Sequence, residues 1–96
     1  MTQIEGIELP EDAIDLGHET YYTKAVYNGV WAGIHEWHKE DGNWSVGYIP
    51  FAGRGPQPQS VSWEVISEEP LTLNPSLACR ACGHHGFIRE GRWWPV

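Results

Sequence analysis

The run Cys79-Arg80-Ala81-Cys82-Gly83-His84-His85 constrains this chain more than any other stretch, because it holds both of its cysteines. Two thiols separated by two residues, with imidazoles just behind, gather soft and borderline donors into one short turn. Thiolate and imidazole are the ligands zinc prefers, and a tight turn lets both sulfurs reach a single ion. Gly83 suits such a knuckle, where the backbone turns sharply and a positive φ meets no Cβ. With 96 residues the chain has the length of one domain, and a core this small gains from a staple such as a metal or a partner subunit.

Composition narrows the class. Hydrophobic residues make up 41%, which places the chain among globular rather than disordered proteins. The formal charge is -7 and unevenly spread: Glu5, Glu8, Glu11, Asp12, Asp15 and Glu19 all precede Thr20, whereas Arg80, Arg89 and Arg92 follow Cys79. Nucleic-acid binding normally needs a basic footprint, so the acidic balance argues against it and reads as solubility rather than DNA mimicry. The N-terminus is acidic and lacks the apolar stretch of a secretory signal. No apolar run approaches the roughly 20 residues of a membrane span. A disulfide between Cys79 and Cys82 would close a very short loop with little entropic leverage, so thiols held on metal in a reducing cytoplasm are the simpler expectation.

The remaining pattern is β. Residues 1–19 read as an acidic lead-in, with Pro10, Glu11 and Asp12 suited to one short helix that Gly17 would stop, or to an extended segment. From Thr20 the period shifts towards two, and Asn28-Gly29 is a strong hairpin signal between residues 20–27 and 30–38. A turn at Asp41-Gly42 leads into a third strand, 44–51. Residues 53–60, rich in Gly and Pro, are a loop. A fourth strand follows at 60–67, then a short extended piece around 71–73 between Pro70 and Pro75, the cysteine run, and a terminal hairpin of 86–89 and 92–95 about Glu90-Gly91. The expected fold is mainly β: a small single domain (residues 1–96) of antiparallel hairpins with a C-terminal zinc knuckle and at most one short helix.

Strand parity decides which histidines can join the cysteines. On extended backbone His84 and His85 point to opposite faces, as do His35 and His38, so each pair offers one ligand. The expected metal set is Cys79, Cys82, His85 and either His38 or His35, with His18 or a carboxylate in reserve. Ordinary buried thiols beside a surface imidazole are the bland alternative, and a redox dithiol a third, although Gly83-His84-His85-Gly86 is a poor helix start for one. His35-Glu36-Trp37-His38 superficially matches a zinc-protease helix, but the histidines are three apart and the surroundings read as strand. Six tryptophans offer either a binding platform or cross-strand packing, the latter being the commoner use.

The C-terminal third carries a family likeness. Its words are Pro70-Leu71-Thr72-Leu73-Asn74-Pro75-Ser76-Leu77, the C-x2-C, then His85-Gly86-Phe87-Ile88-Arg89-Glu90-Gly91-Arg92-Trp93. This stretch resembles small proteins of actinobacterial phages and, more loosely, the bacterial domain of unknown function 6527. The resemblance implies a phage or bacterial origin, a cytoplasmic location (the host cytoplasm if phage-encoded) and a small β-rich fold. It also favours His85, which sits in the His-Gly-Phe-Ile word, over His84.

The leading expectation is therefore a non-enzymatic, zinc-binding accessory protein that acts through contacts with a host or phage protein. Two alternatives come from other classes. Surplus histidines would suit a metal-dependent hydrolase with an open zinc position, and the acidic N-terminal face would suit an inhibitor of a host protein. Tryptophan-rich strands with an open edge also permit a homo-oligomer.

Overall fold

A computed structural model describes residues 2–3, 8–40, 42–54, 61–78 and 85–96. Among the described residues ten strands run in chain order: β1 (Thr2–Gln3), β2 (Ile14–Gly17), β3 (Thr20–Tyr27), β4 (Val30–Glu40), β5 (Asn43–Pro50), β6 (Glu64–Glu68), β7 (Leu71–Asn74), β8 (Leu77–Ala78), β9 (His85–Arg89) and β10 (Arg92–Pro95). They form a five-stranded sheet in the order β1-β5-β4-β3-β2, a three-stranded sheet β10-β9-β8 and the pair β6-β7. Every strand pair is antiparallel. The expectation of a mainly β, antiparallel fold is met. Among the described residues none is helical, which agrees with an expectation of at most one short helix, and the extended alternative holds at Ile14–Gly17. Ala13 N–H donates to the Pro10 carbonyl at 3.1 Å, closing a single turn before the chain enters β2, because the apolar Leu16 has a sheet face to join. No helix among the described residues is long and apolar enough to cross a membrane.

The period of two explains the large sheet. Ladder partners share a face, so three rows stack on its inner side: Lys24–Ile34–Ile49, Tyr22–Glu36–Gly47 and Thr20–His38–Ser45. Ile34, Glu36 and His38 are buried on that side, whereas His35 and Lys39 are exposed on the other. Leu16, Tyr22, Ile34, Ile49 and Phe51 meet Leu71, Leu73, Leu77, Ile88 and Trp93 in one core, with Trp31, Trp63 and Val65 packed against it. The two smaller sheets thus cover the inner face of the large one. β2 touches β10, and β7 touches β9.

Bulges re-aim side chains. The register slips between Ala25 and Val26, and again between Val65 and Ser67, which keeps Val65 against the core and leaves Ile66 exposed. β6 also begins at Glu64, later than the alternation predicts. Trp63 instead bridges Phe51 in parallel, with its N–H on the Pro50 carbonyl and its carbonyl accepting from Ala52. That contact continues the edge of β5 without a full strand.

The tryptophans act mainly as packing. Trp93 is 1% exposed and Trp37 7%. The indole N–H groups of Trp31, Trp37, Trp63 and Trp94 donate to Gly33 O, Thr23 Oγ1, Ser76 O and Arg89 O. Large apolar rings with a satisfied polar edge are what a small core needs.

Candidate metal centre

Cys79 and Cys82 lie outside the described residues, as does His84. What flanks them is described. Leu77 pairs with Gly86, and Ala78 with His85, so residues 79–84 connect two strands of one antiparallel ladder. His85 opens β9 and is exposed, and its Nε2 is hydrogen-bonded to Ser76 Oγ at 2.9 Å. Its backbone is held as well, since its carbonyl accepts the Val96 N–H at 3.0 Å. The next residue must be glycine: a Cβ on Gly86 would lie 2.5 Å from the Trp94 carbonyl and 2.6 Å from the Trp93 ring. The buried indole of Trp93 therefore presses against the strand that presents His85.

β4 separates the other two candidate histidines, as parity requires. His35 is exposed on the outer face, its ring 5.4 Å from that of Tyr48. His38 is 2% exposed on the inner face, where its Nδ1 lies 2.7 Å from Glu36 Oε2. His18 sits exposed in the β2–β3 turn with φ +55°. No group of three or more His, Cys, Asp or Glu side chains among the described residues is placed to hold a metal.

Sequence reading missed the company His38 keeps. Thr20 and Ser45 flank it across the ladder, both fully buried, and Glu36 is 1% exposed two residues before it. Thr20 Oγ1 donates to the His18 carbonyl at 3.2 Å, whereas Ser45 Oγ is buried with no hydrogen-bond partner among the described residues. The available signal was parity once more: Glu36 and His38, two apart on a strand, had to share a face, and that face also carries Ile34. An acid and a histidine side by side on a core-facing row need one another, because a lone buried charge is too costly to keep.

The donor chemistry fits a zinc site in part. A ligating histidine usually has its second ring nitrogen fixed by a carboxylate, hydroxyl or carbonyl. His85 meets that condition through Ser76, which would put Nδ1 on the metal. His38 meets it through Glu36, which would put Nε2 there. His35 has a ring neighbour but sits on the opposite face from His38. No known protein family, curated protein or solved structure matches the chain.

Proposed function

We propose that this is a small, non-enzymatic accessory protein, of phage type by its C-terminal words, that works through protein contacts and is stapled by a structural zinc ion. Cys79, Cys82 and His85 would hold the ion, with His38 preferred to His35 as the remaining ligand. The observation that carries this reading is the pairing of Ala78 with His85. It places a histidine at the base of the antiparallel pair that the C-x2-C segment joins in sequence, and thiolate and imidazole donors so close in sequence suit zinc. When bound, zinc would supply folding free energy of about 10 kcal/mol or more, comparable with the whole stability of an ordinary domain.

Protein contact is supported by the surface. The tip of the β3–β4 hairpin exposes Val26, Tyr27 and Val30 together, more apolar surface than a solvated turn needs. The net charge of -7 selects for a basic partner and would steer its approach.

Native mass spectrometry with and without a chelator tests the staple. One zinc per chain is expected in the wild type and none in Cys79→Ser/Cys82→Ser, and chelation should lower the melting temperature of the former only. A metal-free wild-type mass, or a melting temperature unmoved by complete metal removal, would overturn the reading.

A further inference from the structure

A cavity of about 220 Å³ opens between the large sheet and the β6–β7 turn, and neither cysteine lines it. Its walls are apolar: the rings of Trp31 and Tyr22 on one side, Pro70 and Leu71 on the other. Charges of both signs border it: Lys24, Glu68 and Glu69. The Lys24 ammonium stands 4.6 Å from the centroid of the Trp31 ring, a cation–π contact that orients it. Glu69, in the turn between β6 and β7, also lines the cavity. Among the described residues, Lys24 and Glu69 form no ion pair, with each other or with anything else. Glu68, the second acid of the lining, is already neutralised by Arg54 at 2.6 Å. Burial, and then the charge of Glu69, raise the Tyr22 phenol above the usual tyrosine range, so it keeps its proton and remains a hydrogen-bond donor.

A lone cation entering here would meet Lys24, and a lone anion would meet Glu69. A neutral apolar molecule would leave both charges unanswered. The complement of an unpaired cation and an unpaired anion across an apolar wall is a molecule that carries both charges on an apolar body. The volume also falls below the roughly 300–1,000 Å³ typical of drug-sized ligands. We propose that this cavity binds a small zwitterion of the free α-amino-acid class, its carboxylate towards Lys24, its ammonium towards Glu69 and its side chain against Trp31 and Leu71. This site is independent of the metal reading.

The test is an NMR titration of the full chain with L-leucine, N-acetyl-L-leucine and L-leucinamide, read at the Trp31 indole and the Leu71 and Gly91 amides. Leucine should shift these resonances saturably. Removing its positive charge by acetylation, or its negative charge by amidation, should each weaken binding about tenfold, the loss of one charge-assisted hydrogen bond. Glu69→Gln should abolish the preference for leucine over its acetylated form, and Lys24→Gln the preference over leucinamide. Both side chains are exposed, so neither variant endangers the fold. Absence of any shift up to the solubility limit of leucine would overturn the proposal. So would equal binding of all three compounds to the wild type, which marks an apolar cleft without charge recognition.

Discussion

The row Thr20–His38–Ser45, with Glu36 beside it, is the most polar part of the buried inner face. Its members are not energetically alike. Removing one partner of a buried ion pair strands the other and costs about 3–5 kcal/mol. A buried hydroxyl with no partner, by contrast, already carries a desolvation penalty of about 1–3 kcal/mol in the native state. Ser45 Oγ is such a group. Ser45→Ala should therefore leave stability unchanged or raise it by up to about 1 kcal/mol, the relief of desolvation set against the small void left behind. His38→Ala should lower stability by about 3 kcal/mol, since Glu36, 2.7 Å away, would lose a hydrogen-bond partner in the core and the missing ring would leave a void. Urea unfolding at constant slope separates the two outcomes. A loss above about 1 kcal/mol for Ser45→Ala would mean the hydroxyl has a partner in solution.

Three of the hairpins turn on two consecutive residues with positive φ: His18 and Glu19 (φ +55° and +56°), Asn28 and Gly29 (+50° and +79°), and Glu90 and Gly91 (+52° and +73°). This geometry matches the right-handed twist of the flanking strands. Asn28-Gly29 and Glu90-Gly91 announce themselves in the sequence, because glycine takes left-handed backbone without a Cβ clash. His18-Glu19 does not. Glu19 does not favour that region, and the turn is imposed by its surroundings: the Gly17 N–H donates to Asp15 Oδ1 at 2.7 Å, Gly17 itself sits at φ +86°, and Leu16 is pulled into the core. This is also why, of the short helix and the extended segment that the stretch after Pro10 allowed, the extended one is formed at Ile14–Gly17, local propensity yielding to a tertiary contact whose only sequence sign was one leucine. Left-handed backbone costs a non-glycine residue about 1–2 kcal/mol. The double substitution His18→Asn/Glu19→Gly should thus stabilise the protein by about 1–2 kcal/mol in thermal or urea unfolding. A destabilised variant would show instead that the two native side chains make contacts worth more than the backbone relief.

At the scale of the whole molecule, the acidic N-terminal segment can be a charged appendage or a piece of the fold, and magnitudes decide between them. Read from composition, residues 1–19 are a solubility tail, and six acids on a chain of net charge -7 repel one another. Glu8, Glu11, Asp12, Asp15 and Glu19 are all exposed, so water and salt screen that repulsion, and each charge is worth at most a few tenths of a kcal/mol at physiological ionic strength. Against this stands Leu16, 1% exposed and part of the core cluster. Its strand closes one edge of the large sheet through the β2–β3 ladder and touches β10, the strand that carries Trp93. Truncating a buried leucine alone costs about 2–5 kcal/mol, several times what relief of the charges returns. Leu16→Ala should lower stability by about 3 kcal/mol, and a chain lacking residues 1–19 should lose more than that or fail to unfold cooperatively. Both deficits should persist from low to high salt, because they arise from packing and not from charge. Equal stability of the shortened and full-length chains, or a deficit that vanishes as salt is added, would return the segment to the role of a tail.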